Sequence, residues 1–255
     1  MKHPILASSR LALFASLVAA TALFAPVASA QTFSDDQRRE IEGIVKDYLI
    51  KHPEIIQDAM SALDKKQQEA EATKARATIK DNNATLFNSP HQVVLGNPQG
   101  EIQVVEFFDY NCAYCKRALS DMLTLLKTDQ NIKFVLKEFP VLGEGSVDAA
   151  HVAVAARMQD PTGKKYLEFH QKLLGGRGAA DKARALAVAK DVGFDMTRIE
   201  KDMASDEVKA TIDEDMKLAD ALGVNGTPSY VIGNEVVVGA IGLDGLKAKI
   251  AADKK

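Results

Sequence analysis

Cys112 and Cys115 are the only cysteines in the 255 residues, and two intervening residues separate them between an apolar run, Ile102 to Tyr110, and a stretch with helical spacing. A bridge across so short a loop constrains the unfolded chain very little, which makes the pair a poor structural staple. The apolar run reads as a buried strand that ends in the cysteines. Ala118, Leu119, Met122, Leu123, Leu125 and Leu126 then recur with the period of a helix, and Ile132 to Phe139 is a further strand. Strand, helix and strand in that order form a βαβ unit, which favours a right-handed parallel crossover.

The compartment bears on the chemistry. Lys2 and Arg10 precede an uncharged apolar run, Leu11 to Phe24, followed by Pro26 and the small-residue triplet Ala28-Ser29-Ala30. That order is a signal peptide over residues 1–30. The alternative, a membrane anchor, needs about 20 apolar residues, and this run is shorter. The remaining chain carries 30 Lys and Arg against 35 Asp and Glu, intermixed throughout, which argues against a nucleic-acid partner. In an oxidising compartment a lone C-x-x-C points to redox chemistry.

Residues 31–63 read as a helical segment. Ser34 with Gln37 forms a capping box ahead of Ile41, Ile44, Val45, Tyr48 and Leu49, and a second helix after Pro53 carries Ile56, Ala59, Met60 and Leu63. Two such short helices cannot bury their own apolar stripes, so oligomerisation through this segment is expected. Residues 64–85 hold charges, alanines and Ile79, and are expected to form a solvated helical linker. A domain over 86–255 follows, with an all-helical block at about 147–222, a two-stranded hairpin at Ser229 to Val238 and a last helix from about Leu243. The expected fold class is α/β, a thioredoxin-like fold with an inserted helical domain and an N-terminal helical extension.

Six residues are candidates for the site. Cys112, at the strand-to-helix junction, meets the unpaired amides and positive dipole end of the helix, which suit an anionic sulfur, so it is the expected nucleophile. Cys115, one turn deeper, would resolve the mixed disulfide. Glu106 interrupts an apolar strand; either it lies beneath the cysteine helix and takes the Cys115 proton, or it is an edge-strand acid facing water. Thr227-Pro228 precedes a strand. Its bond is either a trans turn or, as the cysteine context favours, a cis bond that exposes the Thr227 main chain to an extended substrate. A structural zinc site would need further ligands, and His52, His91, His151 and His170 lack the paired spacing of a zinc module. No cofactor and no metal are expected.

Together, Val105-Glu106-Phe107-Phe108-Asp109-Tyr110-Asn111-Cys112-Ala113-Tyr114-Cys115, Lys137-Glu138-Phe139-Pro140-Val141-Leu142-Gly143 and Gly226-Thr227-Pro228-Ser229-Tyr230-Val231-Ile232-Gly233 resemble the DsbA family of exported oxidoreductases over roughly Leu86 to Lys255. The resemblance implies a periplasmic thioredoxin fold, a cis bond at Pro228 and a buried acid at Glu106. The strongly oxidising members carry Pro-His between the cysteines and valine before the proline. Tyr114, a candidate substrate contact, and Thr227 are more like the disulfide isomerases, and the helical extension is similar to that of the suppressor-of-copper-sensitivity C group, which implies a homotrimer. The expected activity is disulfide isomerase or reductase on exported cysteine-containing proteins, with a membrane redox partner. A dithiol oxidase and a Cu(I)-binding protein are the alternatives.

Overall fold

A nearly continuous apolar strand flanked by amphipathic helices can bury both of its faces only in the middle of a sheet, and the computed structural model, which describes residues 33–253, places it there. The signal-peptide reading falls on residues outside the described ones. The chain divides into two compact units, Met1–Ala59 and Met60–Lys255.

In the first unit, α1 (Asp35–Lys51) begins at Ser34, whose Oγ accepts from the Gln37 amide while the Ser34 amide donates to Gln37 Oε1. Both halves of the capping box are formed. Asp35 and Asp36 in the first turn complement the helix dipole. No residue of α1 is buried, and Ile41, Ile44, Val45 and Tyr48 are all exposed, Ile44 at 62%.

The linker differs from its expected form. A single helix, α2 (Glu54–Asp81), runs through position 63 without a break. Its early apolar residues Ile56, Met60 and Leu63 are exposed, but Ile79 is 1% exposed and packs with Leu86, Phe87, Val105 and Phe107. The last turns of the charged stretch therefore contribute to the hydrophobic core. A solvated linker would leave Ile79 in water, and the free energy of removing a large aliphatic side chain from water, about 2 kcal/mol, favours its docking.

After α3 (Asn83–Asn88) come β1 (Val93–Gly96), β2 (Ile102–Phe108), α4 (Ala113–Thr128) and β3 (Ile132–Glu138). The five-stranded sheet has the order β1-β3-β2-β4-β5, where β4 is Ser229–Ile232 and β5 is Glu235–Val238. β2 and β3 are parallel, as the strand–helix–strand order predicts, and the other neighbours are antiparallel. β2 ends at Phe108, two residues before the end of the apolar run, because Asp109 begins a turn whose carbonyl accepts from the Cys112 amide.

Side chains alternate across the sheet, so residues of one parity share a face. Val104, Phe108, Phe134, Leu136 and Tyr230 join the core cluster that includes Cys115, Met122 and Leu125 of α4. Val105, Phe107, Val135 and Val231 join the opposite cluster with Ile79 and Leu218. Glu106 has the parity of Val104 and Phe108, which places its side chain on the α4 face.

The helical block comprises α5 (Glu144–Arg157), α6 (Lys164–Gly175), α7 (Lys182–Val192), α8 (Met196–Asp202) and α9 (Asp206–Ala221), starting three residues earlier than its sequence pattern suggests. Buried alanines at 149, 150, 153, 155 and 156 of α5 and at 185 and 189 of α7 allow the two helices to approach closely. α10 (Gly242–Asp253) closes the fold against α4.

Candidate active site

Cys112 is the residue immediately before α4, in extended backbone, and its Sγ accepts from the Cys115 amide at 3.4 Å. That is the N-cap position, where a side chain meets otherwise unpaired helix amides. Cys112 Sγ also donates to the Thr227 carbonyl at 3.1 Å. Cys115, on the inner side of α4, is fully buried, while Cys112 keeps 6% of its surface. Both are free thiols.

Burial pushes the Cys115 thiol far above the ordinary range, the Glu106 charge raises it further, and hydrogen bonds from the Asp109 main chain and the Thr227 side chain act in the opposite direction. A thiol so placed needs a base before it can attack. Glu106 is 3% exposed, and burial, with a smaller contribution from the Asp121 charge, raises its carboxyl to about 8. Such a carboxyl is poised to exchange a proton near neutral pH. Its neighbours across the sheet are Leu136 on β3 and Tyr230 on β4, so it lies in the central strand and the edge-strand alternative does not apply.

No cation relieves Glu106 from the motif Lys137-Glu138. Lys137 has the opposite parity, and its Nζ lies 3.1 Å from Asp215 Oδ1 and donates to the Thr85 carbonyl at 3.0 Å. Burial of Asp215 raises its carboxyl, to about 7, against the lowering effect of Lys137.

Thr227 therefore bears on both sulfurs, with its carbonyl at Cys112 and its side chain acting to lower the Cys115 thiol. The Thr227-Pro228 bond is cis, and Pro228 is buried. Tyr114 stands apart from this cluster. It is 57% exposed on the first turn of α4, with the Arg117 guanidinium 4.4 Å from the centre of its ring. Of the six candidates, the structure brings Cys112, Cys115, Glu106 and Thr227 together, sets Pro228 directly behind Thr227, and leaves Tyr114 on the rim.

Sequence reasoning missed Tyr230 and Asp109. Tyr230 is buried opposite Glu106, and burial followed by the Glu106 charge raises its phenol. The signal was available only through strand pairing. Asp109 is 1% exposed with both oxygens hydrogen-bonded. Two of the lone histidines have protein partners: His170 is buried, which lowers it to about 3, and meets the Tyr110 hydroxyl at 3.2 Å, while His91 meets Glu207. The two thiols are soft ligands of the kind that suit Cu(I), but among the described residues no group of three potential ligands assembles around them.

This arrangement, a thiol at a helix N-terminus, a second thiol beneath it and a buried acid on the central strand, has the groups that dithiol–disulfide exchange requires. Residues 103–251, which contain all of it, match the family model of the DSBA-like thioredoxin domain. The chain belongs to that family.

The extension of this DSBA-like chain also matches a family model: residues 37–70 fit the copper resistance protein ScsC N-terminal domain. A thioredoxin-like oxidoreductase from Silicibacter pomeroyi is 43% identical, with the match covering 68% of this chain and 98% of that one at a TM-score of 0.64. A linker-deletion variant of Proteus mirabilis ScsC is 25% identical over 89% of this chain and 99% of that one, with a TM-score of 0.66. Among curated relatives, the Na(+)/H(+) antiporter NhaA 1 of Salinispora arenicola is 27% identical over 62% of this chain and only 24% of its own length. The DSBA-like chain thus spans about a quarter of that protein.

Proposed function

We propose that this protein is a periplasmic disulfide isomerase or reductase that acts on misoxidised exported proteins. Cys112 attacks a substrate disulfide as the thiolate, forming a mixed disulfide and releasing one substrate thiolate. In isomerisation, that thiolate attacks another substrate disulfide, and the final substrate thiolate displaces Cys112, with no net oxidation. In the reductive branch, Glu106 takes the Cys115 proton and Cys115 attacks Cys112 Sγ. The substrate leaves as a dithiol and the protein keeps the disulfide, to be returned to the dithiol by two electrons from a membrane redox partner. Thr227 and Pro228 border the bound substrate segment, and Tyr114 contributes an apolar contact at the rim.

The observation that carries the isomerase direction is the uncovered apolar face of α1 and the start of α2, Ile41, Ile44, Val45, Tyr48 and Ile56. Such a face is suited to pairing with other copies of the chain, and several active sites around a shared space hold one substrate through successive exchanges. The match of this segment to the ScsC N-terminal domain supports the same reading.

The test is refolding of a scrambled-disulfide protein by the full mature chain and by the variant Ile44→Asp/Tyr48→Asp, whose altered residues are exposed in the single chain. Isomerisation is expected to fall in the variant together with oligomer mass by light scattering, while reaction with a small disulfide is retained. A wild-type protein that is monomeric, or that oxidises reduced substrates rapidly without reshuffling scrambled ones, overturns the reading in favour of a dithiol oxidase.

A further inference from the structure

The turn that presents Cys112 is held by a buried carboxylate that the exchange chemistry leaves without a role. Asp109 Oδ1 accepts from the Asn111 amide at 2.7 Å and from Ser146 Oγ at 2.7 Å. Oδ2 accepts from the amides of Val141 and Leu142 at 2.9 and 3.0 Å. Four donors converge on one anion, and charge-assisted hydrogen bonds of this kind are roughly twice as strong as neutral ones. Asn111 extends the network, exchanging hydrogen bonds with the main chain of Ala180 at 2.7 and 2.9 Å. One carboxylate thereby ties the cysteine turn to the loop after β3 and the first turn of α5.

What this network holds outward is apolar. Val141 is 42% exposed and Leu142 54%, although their amides are fixed to a buried group. The same turn borders Cys112 through the Asp109 carbonyl, which accepts from the Cys112 amide at 3.1 Å, and Thr227 borders it through the opposite contact at the sulfur. With 6% of its surface accessible, Cys112 can be joined to a polypeptide only if the segment beside the substrate cysteine rests on the residues around it.

We propose that Asp109 is a positioning residue that holds Val141 and Leu142 as an apolar rim for the segment flanking a substrate cysteine, and so sets the preference for polypeptide disulfides with an apolar neighbour. Asp109 does not touch the substrate; it acts through the two amides. The inference rests on the exchange activity of Cys112, which a small disulfide reports by itself.

The experiment compares the full mature wild type with Asp109→Asn and with Val141→Ala/Leu142→Ala. The probes are oxidised glutathione and two disulfide-cyclised peptides, with leucine or serine beside the cysteine. Asparagine offers a single acceptor oxygen and so releases one pair of donors. The wild type is expected to favour the leucine peptide through KM, both variants to raise that KM about tenfold, and Val141→Ala/Leu142→Ala to keep kcat and the glutathione reaction within about twofold of wild type. If all probes slow by one common factor, or if Val141→Ala/Leu142→Ala leaves the leucine preference intact, the proposal is overturned. The latter variant changes only half-exposed and exposed side chains, so it decides the matter even if Asp109→Asn does not fold. A wild type inert towards glutathione would instead refute the exchange reading.

Discussion

The Thr227 carbonyl lies 3.1 Å from Cys112 Sγ, while the side chain of the same residue acts to lower the Cys115 thiol against the effect of burial. One residue between a helix and a strand therefore bears on both partners of the exchange. Replacing Thr227 with valine keeps the carbonyl at Cys112 and removes the hydroxyl. That side chain favours the Cys115 thiolate, so resolution of the mixed disulfide is expected to slow while attack by Cys112 changes little. Stopped-flow measurement of the two steps checks this; equal slowing of both would contradict it.

The two thiols are not equivalent in depth, and their variants should separate. Cys112→Ser is expected to lose all exchange, whereas Cys115→Ser should still attack and then accumulate a covalent adduct with a peptide disulfide. Mass spectrometry of the two variants after incubation with peptide reads this directly. An adduct on Cys112→Ser and none on Cys115→Ser would reverse the assignment.

Glu106 makes the protein less stable as pH rises. The unfolded chain releases this proton near the ordinary 4.5, while the native state holds it to about 8, so between those values the native state binds more protons and stability falls with increasing pH. Each unit of raised pKa corresponds to about 1.4 kcal/mol, and Glu106→Gln is expected to recover several kcal/mol by pH 8 and little at pH 4.5. Denaturant titrations of both proteins at the two pH values measure the difference. In the reductive branch, the same variant is expected to slow attack by Cys115 without affecting attack by Cys112.

Ile79 tests where the catalytic unit begins. It is buried among Leu86, Phe87, Val105 and Phe107, so Ile79→Ala leaves a cavity and is expected to cost about 2 to 5 kcal/mol, with a lowered thermal midpoint. An unchanged midpoint would return this residue to a solvated linker. Substitution of the exposed Ile56 in the same helix is expected to leave the midpoint of the catalytic unit unaltered.

Local patterns were enough for much of this protein. The capping box at Ser34, the apolar stripes after it, the strand that runs into Cys112 and the hairpin after Pro228 are signalled by neighbours a few residues apart, because capping and periodic burial are short-range effects. The two cysteines and the apolar setting of Glu106 likewise made exchange chemistry legible, since an acid within a buried run is costly unless it is used.

Sequence alone left open the relations set by strand pairing and side-chain parity. Glu106 could have lain on an edge; its place between Leu136 and Tyr230, on the face of α4, follows from the sheet order β1-β3-β2-β4-β5. Ile79 looked like one apolar residue in a charged helix, and only docking against Val105 and Phe107 made it part of the core. Asp109 stands inside the run that reads as a strand, yet its oxygens collect donors from residues more than thirty positions away. The sequence by itself determined which chemical groups stand in line along the chain. The tertiary structure decided which of them share a face, because that depends on partners the local pattern does not contain.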